Sequence, residues 1–531
     1  MNKNRKYWGW GYEDQQVDSK ALKKTVSFLC QVLNVEEKVA QSPLPIEQVE
    51  LRAPRFQLDS AIKNICSHDR FDRLSHSYGK STNDIIRGLR GEFPNPPDYV
   101  AYPKTEAELQ DLIHFAEENT VSLIPFGGGS SVVGGVEPTE NTYFNGTISV
   151  DMKHFDQLLE VDETSRCAKF QAGIYGPALD AALKPYKLTL RHFPQSYEFS
   201  TLGGWIATRA GGHYASLYTH IDDLVESVRM VTPQGVTETR RLPGSGAGPS
   251  EERFILGSEG IFGFITEAWV KLQDAPKYRN TSTLLFKNYD DAVNATRKIA
   301  QSGLYPSNCR LVDPLESFSM GLGDGNNSVL LLGFESAIGP VDDKLKQAIS
   351  LTQEFNAKQV EANKGQEHTE NADSWKQSFL QAPYLRDQLL QMGILAETFE
   401  TAITWDKFHD FHNTLKREVQ KCINETCGSG FITCRFTHVY PDGPAPYFTV
   451  VAKAEIGKEL EQWQKIKTTA SNIIIKMGAT ITHHHAVGKD HRPYYEQQRS
   501  SFFTDILIAS KEKVDPKGIL NPDVLVLGRN E

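Results

Sequence analysis

The sequence predicts an α+β protein built from several cooperating domains. Its 531 residues exceed the size of one small domain, so two to four domains are expected. Thr105 to Glu118 has the spacing of an amphipathic helix that begins with a Thr-x-x-Glu capping box, and Val121 to Phe126 is a short apolar strand. Such helices and strands alternate along the chain, and glycine is concentrated in the middle third. The pattern therefore predicts an α+β fold with a glycine-rich centre.

The composition changes along the chain and predicts four regions. The first is charged and mostly helical in pattern, and the stretch Glu92 to Pro103 carries four prolines that mark a linker. The second holds the glycine-rich segments, and in the third, strands such as Thr281 to Phe286 alternate with longer helices such as Lys458 to Met477. The fourth is a short C-terminal segment. The predicted regions are residues 1–95, 96–276, 277–505 and 506–531.

The overall charge argues against a protein that binds nucleic acid. Lys plus Arg is 57 and Asp plus Glu is 67, which gives a net charge of −10. A general nucleic-acid binder needs an excess of basic residues. The seven cysteines are few for this length and odd in number, which predicts free thiols in a reducing compartment.

No segment of the sequence predicts export or membrane insertion. No apolar run approaches the roughly 18 residues that are needed to span a bilayer. The N-terminal segment MNKNRKYWGWGYEDQQ lacks the apolar core of a secretory signal. The last residues, GRNE, are not a peroxisomal tripeptide of the S-K-L type. We therefore expect a cytoplasmic protein.

Three segments concentrate glycine beside small polar residues. They are Pro125 to Gly135, Ser200 to Gly212 and Gly257 to Gly263. Successive glycines let backbone N–H groups point into one concavity, which suits a pyrophosphate. Tight turns of a β-rich domain explain any one of these segments, but they explain three within 140 residues less well.

Two familiar nucleotide-binding motifs are excluded. Gly79-Lys80-Ser81 looks like the end of a P-loop, but Leu74 stands where the first glycine of that motif is required. Gly127-x-Gly129 lacks the third glycine of the dinucleotide fingerprint, because Val132 stands there. A nucleotide would therefore be bound in another manner.

The glycine-rich segments resemble the vanillyl-alcohol-oxidase class of FAD flavoproteins. PFGGGSSVVGG resembles its pyrophosphate loop, PQSYEFSTLGGWIATRAGG and FILGSEGIFGFITEA resemble its second and third flavin-binding stretches, and VDPKGILNP resembles its C-terminal tail. The resemblance implies a two-subdomain FAD-binding domain, an α+β cap domain and a helical N-terminal region. Some members bind FAD covalently, but the corresponding position in the first loop is Ser here, so non-covalent FAD is expected. The residues expected to bind FAD are Pro125, Phe126, Gly127, Gly128, Gly129, Ser130, Ser131, Pro194, Ser200, Thr201, Gly203, Gly204, Trp205, Thr208, Arg209, Glu259, Gly260, Gly263 and Ile265.

Within that class, the chain resembles the alkyldihydroxyacetonephosphate synthase family from about residue 5 to 525. The elements that carry this resemblance are Trp8 to Gly11, Arg310 to Asp313, Tyr384 to Asp387, Glu397 to Thr401, Thr433 to Arg435 and His483 to Lys489. The resemblance implies ether-lipid synthesis, in which a long-chain alcohol replaces the acyl chain of acyl-dihydroxyacetone phosphate. FAD takes part through a flavin N5 adduct, without net redox change.

The same resemblance implies roles for individual residues. Tyr447 matches an acid/base, and a nearby Arg or His must lower its pKa if it is to act as a base near pH 7. Arg310 matches an active-site cation, and Arg386 matches a ligand of the substrate phosphate. Thr398 matches a substrate-binding hydroxyl. The remaining catalytic candidates are His483, His484 and His485.

The three consecutive histidines allow several interpretations from their residue type alone. A solvated or structural loop and an active-site loop both remain open. No H-E-x-x-H or C-x-x-C partner accompanies them, so no metal site is expected.

Other functions and partners also remain open. The alternative activity is FAD-linked oxidation of a 2-hydroxy acid such as D-lactate or glycolate, and a third alternative is a non-enzymatic FAD-stabilised scaffold. Long-chain substrates are compatible with contact at a membrane surface, for which Tyr7 to Trp10 is a candidate, although packing of this cluster against the cap is the better explanation. A homodimer is compatible with the sequence.

Overall fold

The computed structural model describes residues 5–14, 19–37, 39–214, 220–319, 325–360 and 383–528. The α-helices are α1 (Ser19–Leu33), α2 (Arg70–Ser75), α3 (Thr82–Arg90), α4 (Glu106–Asn119), α5 (Gly176–Leu183), α6 (Leu202–Thr208), α7 (Glu251–Ile255), α8 (Tyr289–Ala300), α9 (Pro314–Ser319), α10 (Asp342–Ser350), α11 (described over 383–391), α12 (Trp405–Cys427), α13 (Glu459–Lys476), α14 (Arg492–Gln498) and α15 (Ser501–Val514). The strands are β1 (Cys66–Ser67), β2 (Tyr99–Ala101), β3 (Val121–Phe126), β4 (Gly146–Asp151), β5 (Leu158–Asp162), β6 (Cys167–Gln171), β7 (Leu188–Thr189), β8 (Val225–Thr232), β9 (Gly235–Glu238), β10 (Phe264–Lys271), β11 (Gln273–Asp274), β12 (Tyr278–Phe286), β13 (Asn308–Val312), β14 (Ser328–Ser336), β15 (Lys358–Gln359), β16 (Ile394–Glu400), β17 (Gly430–Val439) and β18 (Pro444–Lys453).

Two sheets carry the glycine-rich segments. The first has the order β1-β2-β4-β3, and β4 is parallel to both of its neighbours. Helix α4 crosses between β2 and β3, and it begins at the predicted capping box of Thr105 and Glu108. The second sheet, β5-β6-β10-β8-β9, is antiparallel. Because β3 ends directly before the first glycine loop, the first sheet fixes the position of that loop.

The C-terminal segment returns to the first sheet. The N–H of Leu123 in β3 donates to the carbonyl of Ile519 at 2.8 Å, and the N–H of Asn521 donates to the carbonyl of Leu123 at 2.9 Å. The segment therefore continues the sheet beyond its edge strand β3.

A seven-stranded antiparallel sheet forms the cap, in the order β15-β12-β14-β13-β17-β18-β16. Helices α8, α10, α12 and α13 pack against one face of it. Alternate residues of the central strands, such as Phe436 and Phe448, point to that face and pack with Phe408 and Phe411 of α12 in the largest apolar core. The residues between them point to the opposite face, which is turned toward the glycine-rich segments.

The N-terminal region is less helical than its pattern indicated. Its described residues contain α1, α2 and α3, and prolines 43, 45 and 54 lie in the irregular stretch between α1 and α2. Proline removes a backbone donor and blocks helix continuation, which explains this difference. Helix α1 packs its apolar face against α11, β16 and β18. Among the described helices, none combines the length and apolar character that crossing a membrane requires.

Candidate active site

A cavity of about 390 Å³ separates the glycine-rich segments from the cap sheet. We call its lining from the three glycine segments the glycine floor, and its lining from β13, β16, β17 and β18 the sheet roof. Every residue expected to bind FAD lines this cavity except Arg209. The roof contains Arg310, Thr398 and Tyr447, and His484 and His485 also line the cavity. The fold therefore brings together most of the site residues that the sequence predicts.

The glycine floor is a surface of bare backbone. A Cβ added to Gly128 would lie 2.6 Å from the carbonyl carbon of Phe199 and 2.9 Å from the Cα of Ser200. A Cβ on Gly203 would lie 2.9 Å from the Cβ of Ala172. Side chains are thus excluded where the three segments meet, and the remaining groove exposes N–H groups and the hydroxyls of Ser130 and Ser131. These residues fit the pyrophosphate of a flavin nucleotide.

Two charged residues of the floor have different positions. Arg209 lies outside the cavity lining, and its Nε donates to Asp222 at 2.7 Å. Glu259 lines the cavity and accepts the N–H groups of Val487 and Gly488, each at 2.8 Å. Burial raises the pKa of Glu259 to about 7. Glu259 therefore joins the third glycine segment to the end of the histidine loop.

Side-chain alternation and strand register build the sheet roof. Tyr447 on β18 is directly opposite Arg435 on β17 and Glu400 on β16. Directly opposite residues point to the same face of a sheet, so the three side chains form a row. Thr398, two residues before Glu400, points to the same face and is a hydrogen-bond partner of Tyr447.

Tyr447 is protonated at neutral pH. The guanidinium of Arg435 lies over its ring, with 3.9 Å between the guanidinium carbon and the ring centroid. Burial raises the pKa of Tyr447 and outweighs the opposing effects of Arg435 and Thr398. The cation that Tyr447 would need in order to act as a base is present, but the pKa is not lowered, because desolvation of the phenolate costs more free energy than the interaction with the cation recovers.

Two buried arginines make the roof electropositive. Nη2 of Arg310 donates to the carbonyl of His213 at 3.1 Å, and burial lowers the pKa of Arg310 to about 9, with a further contribution from Arg435. Arg435 forms an ion pair with Glu316. Both guanidinium groups carry a positive charge at pH 7, which suits a site where negative charge develops.

Glu400 organises the histidine loop. Its carboxylate accepts the backbone N–H groups of His483 at 2.6 Å, His484 at 3.1 Å and His485 at 3.0 Å, and it also accepts the hydroxyl of Thr482 at 2.6 Å. Burial opposes ionisation of Glu400, but attraction to the neighbouring histidines in their protonated form and the hydrogen bond from the Thr482 hydroxyl outweigh it and hold the pKa of Glu400 well below its usual range. A single buried carboxylate thus fixes the backbone of all three histidines.

The three histidines do not have equivalent positions. The ring centroids of His484 and His485 lie 6.1 and 5.5 Å from that of Tyr447. His483 lies outside the cavity lining, where its Nε2 is 2.6 Å from Oη of Tyr440 and its Nδ1 is 3.0 Å from Nδ1 of His484. Burial lowers the pKa of each of the three, so the imidazoles are neutral at pH 7.

Sequence reasoning overlooked a fourth histidine at this site. Nitrogen atoms of His438, His483 and His484 lie within 4.8 Å of one another, a spacing that could hold a metal ion. Nε2 of His438 is also 2.9 Å from the carbonyl of Gly212. Metal-ligand motifs join residues that are close in sequence, whereas His438 is on β17, far from the histidine loop in the chain. His438 follows Arg435 by three residues because of a bulge after Phe436, so it departs from the period-two alternation that would have indicated its face in the sequence.

Arg386 and an apolar arm complete the cavity. Nη2 of Arg386 donates to the carbonyl of Lys80, and Arg386 lines the cavity. Apolar side chains of α1, α11, β16, β17 and β18 line the arm beyond it, and these are Phe28, Leu29, Leu385, Leu389, Ala396, Phe431 and Val451. This arm could not be predicted from the sequence, because the pattern of an amphipathic helix such as α1 does not show which element the helix packs against. No role was predicted for Arg435 or Glu400, although both lie in segments that carry the family resemblance.

Comparison with known proteins places these features in a family. Residues 97–240 match the family model described as FAD binding domain, and residues 275–525 match the model described as FAD linked oxidases, C-terminal domain. Alkyldihydroxyacetonephosphate synthase of Dictyostelium discoideum is 32% identical over 503 residues, which cover 90% of this chain and 80% of that protein. The same enzyme of Caenorhabditis elegans is 31% identical, over 84% of this chain and 79% of that protein. Glycolate oxidase subunit GlcD of Bacillus subtilis is 26% identical, over 81% and 89%.

Solved structures agree with these relatives. A structure of alkyldihydroxyacetonephosphate synthase superposes with a TM-score of 0.82 at 28% identity, and it covers 98% of both chains. p-Cresol methylhydroxylase has a TM-score of 0.68 at 12% identity, which shows a shared fold. These findings confirm the expected fold class and FAD as the cofactor. The chain belongs to the alkyldihydroxyacetonephosphate synthase family of FAD-dependent enzymes.

Proposed function

We propose that the protein makes ether lipid by exchanging the acyl chain of acyl-dihydroxyacetone phosphate for a long-chain alcohol. In this reaction the bond between the substrate carbon and the ester oxygen breaks, and a fatty acid leaves. The alcohol oxygen bonds to the same carbon and the alcohol loses its proton, so no electrons are gained or lost overall. The main support is the row of Arg435, Tyr447 and Glu400 above a flavin-type glycine floor, in a chain 32% identical to such a synthase.

The side chains of the roof supply proton transfer and charge stabilisation. When bound, FAD supplies an electron-poor ring system that serves the exchange as an electrophile. The neutral imidazoles of His484 and His485 can accept a proton at pH 7, and the protonated Tyr447 can donate or relay one. Arg310 and Arg435 stabilise negative charge that develops at the ketone oxygen. His483 positions His484 through their 3.0 Å contact.

Substrate binding divides between a polar and an apolar part of the cavity. The guanidinium of Arg386 can hold the phosphate as a bidentate partner. Thr398 positions the Tyr447 hydroxyl. The apolar arm between α1 and the sheet takes the acyl or alkyl chain, because it offers dry contacts to methylene groups.

Binding of FAD is proposed to be non-covalent, through the floor residues that line the cavity. A homodimer, contact with a lipid surface and a cytoplasmic location also remain predictions. Surface contact is proposed because both substrates carry long chains. The region boundaries at residues 95, 276 and 505 remain predictions as well.

The test is direct formation of the ether product. The FAD-loaded protein is incubated without oxygen with palmitoyl-dihydroxyacetone phosphate and hexadecanol, and products are identified by mass spectrometry. We expect one alkyl ether and one released fatty acid per turnover, while the absorbance of oxidised flavin is unchanged at the end. A reaction without alcohol is the control and should give no ether.

The same protein is then mixed with D-lactate or glycolate. Sequence similarity to glycolate oxidase subunit GlcD is the reason to include this measurement. Bleaching of the flavin by a hydroxy acid, together with absence of ether product in the first assay, would contradict the synthase proposal and support the oxidoreductase alternative.

A further inference from the structure

A second cavity, of about 370 Å³, lies against the first glycine loop. We call it the rear cavity. It is bordered by Gly128 and Gly129, by the N-terminal segment that includes residues 5–11, and by residues next to α2. Four basic side chains line it, Arg5, Lys6, Lys80 and Lys153, whereas Asp72 and Asp151 are its acidic residues. The rear cavity therefore has an excess of positive charge.

Three of these cations form no direct ion pair, although Asp387 attracts Lys6, and Asp84 and Asp387 attract Lys80, at longer range. Lys153 is balanced, because its Nζ lies 4.0 Å from Asp151 and 3.6 Å from the ring centroid of Tyr102. In the part of the chain that the structure describes, no carboxylate lies within 4.0 Å of the basic groups of Arg5, Lys6 or Lys80.

The close contacts that orient Arg5 and Lys6 are with neutral groups. Nη1 of Arg5 donates to the carbonyl of Gly128 at 3.2 Å, and its guanidinium carbon lies 4.8 Å from the ring centroid of Tyr175. Nζ of Lys6 lies 5.4 Å from the ring centroid of Trp8. Such contacts orient a cation without forming an ion pair.

Lys80 is held rigidly beside the glycine loop. Its backbone N–H donates to the carbonyl of Ser131 at 2.6 Å, and a Cβ on Gly79 would lie 3.0 Å from the carbonyl carbon of Ser131. Ser81 begins α3 with a capping box, in which Asp84 N–H donates to Ser81 Oγ at 3.0 Å and Ser81 N–H donates to Asp84 Oδ2 at 2.9 Å. The Gly79-Lys80-Ser81 element is not a P-loop, yet it fixes an amine beside the loop expected to bind pyrophosphate.

Placing cations together in a partly buried cavity has an energetic cost. A buried charge without a partner is unfavourable by several kcal/mol in typical cases. The cost is visible at Lys80, where burial lowers the pKa to about 8. A bound anion would remove this cost, and the lining's four basic side chains less its two carboxylates leave a net charge of +2, which matches a phosphate dianion.

The rear cavity adjoins the substrate side of the main cavity. Trp10 lines both cavities, and Arg386 of the main cavity donates to the carbonyl of Lys80. Asp387, next to Arg386, accepts the N–H of Trp10 at 2.6 Å. A phosphate could therefore be held on either side of Trp10 by neighbouring cations.

We propose that the rear cavity, through Arg5, Lys6 and Lys80, binds a phosphomonoester dianion. This chemistry is carried by the head group of the proposed substrate and by free inorganic phosphate. Identification of the ligand as the lipid head group rests on the proposed function, whereas binding of inorganic phosphate does not.

The experiment measures binding rather than turnover. FAD-loaded protein is titrated by calorimetry with inorganic phosphate and, separately, with a short-chain acyl-dihydroxyacetone phosphate. We compare wild type with Lys80→Met and with the matched control Lys153→Met, which removes a cation of the same cavity that already has a partner. We expect Lys80→Met to weaken phosphate binding by about tenfold or more, and Lys153→Met to change it by less than about threefold.

The two ligands distinguish the sources of the phosphate. If the two ligands bind with similar affinity, the site takes free phosphate. If the acyl compound binds more tightly, the site takes the lipid head group. Either result supports the proposal, provided that binding is weakened in Lys80→Met. A Lys80-dependent phosphate site in a protein without ether-forming activity would leave this inference standing while the proposed function fails.

Several results would overturn the proposal. The first is that wild type does not bind phosphate, and the second is that Lys80→Met binds phosphate as tightly as wild type does. The third is that Lys80→Met loses only FAD affinity, which would mean that the cations bind the cofactor. If Lys80→Met does not fold, Lys6→Met and Lys80→Arg replace it, with weakened binding expected for the first and retained binding for the second.

Discussion

The two sides of the main cavity are built in opposite ways. The glycine floor depends on missing side chains, since a Cβ at Gly128 or Gly203 would collide with neighbouring segments. The sheet roof depends on side chains that come from four strands, such as Arg310 on β13, Arg435 on β17 and Tyr447 on β18. The floor is thus a local property of three short segments, whereas the roof exists only after distant strands have paired.

This difference separates cofactor binding from chemistry. A backbone surface can bind a flavin nucleotide in many related proteins without selecting a reaction. In the proposed reaction, the buried cations of the roof and the imidazoles beside it direct charge and protons. Changes in the floor should therefore affect FAD affinity, and changes in the roof should affect turnover with FAD still bound.

The largest effect is expected for Gly128→Ala in the floor. The added Cβ meets the backbone at Phe199 and Ser200, which cannot yield as a flexible side chain can. We expect FAD affinity to fall by about 100-fold, measured by titration of the apoprotein with FAD. The control is Gly135→Ala, whose Cβ meets only the side-chain ends of Ser131 and Glu259, at 3.0 and 3.7 Å. Equal affinities of both variants would contradict the role of bare backbone.

The next effect is expected for Tyr447→Phe in the roof. Loss of the hydroxyl removes a proton donor, so kcat should fall by about 10²- to 10⁴-fold while FAD content stays at the wild-type level. The control is Tyr289→Phe. Tyr289 belongs to α8, which covers the other face of the same sheet, and its hydroxyl donates to Sγ of Cys434 at 3.8 Å. A Tyr447→Phe enzyme with normal kcat would remove Tyr447 from the mechanism.

A smaller effect is expected for Glu400→Gln. An amide cannot accept all the N–H groups that the carboxylate accepts, so stability should fall by about 1–3 kcal/mol in thermal unfolding and kcat by about tenfold. Removing the negative charge also lowers the pKa of His484, so the acid limb of the pH–rate profile should move to lower pH. Glu400→Asp should recover part of the loss. A stability loss without a shifted pH profile would reduce Glu400 to a purely structural residue.

The smallest effect is expected for His412→Phe on the helix-covered face. Burial, with a smaller contribution from Lys416, lowers the pKa of His412 to about 3, below its value of 6.5 in the unfolded chain. The unfolded chain therefore binds more protons, and the contribution of neutral His412 to stability is complete above pH 6.5 and is lost as the pH falls toward 3. In urea unfolding, the variant should lose less stability than wild type between pH 7.5 and 5, by up to about 2 kcal/mol. Its kcat should not change; a changed kcat would contradict the separation of the two faces.

Several parts of this structure were predictable because they depend on neighbours in sequence. The capping box at Thr105 and the apolar run of β3 gave element ends that agree with the structure within one residue. The glycine segments were recognisable for the same reason, since each one forms a short piece of the floor by itself. Other features could not be predicted in this way. Arg209 belongs to a flavin-type segment, but its side chain turns to Asp222, outside the cavity lining.

The roof shows why local pattern is insufficient. The sequence contained Arg435, His438 and Glu400, but their roles depend on which strand lies beside which, and pairing of β16 and β17 with β18 is a long-range property. The sequence could not decide whether the pKa of Tyr447 is lowered, as a base would require, because it shows that a cation exists but not how deeply the phenol is buried.

By itself, the sequence determined the fold class, FAD as the cofactor and the family, because these rest on local hydrogen bonding, glycine geometry and motifs of a few residues. Only the tertiary structure decided the protonation of Tyr447, the anchoring of the histidine loop on Glu400 and the grouping of cations in the rear cavity. The physical reason is that desolvation and charge–charge interactions depend on distance in space, and these distances are set when segments far apart in the chain pack together.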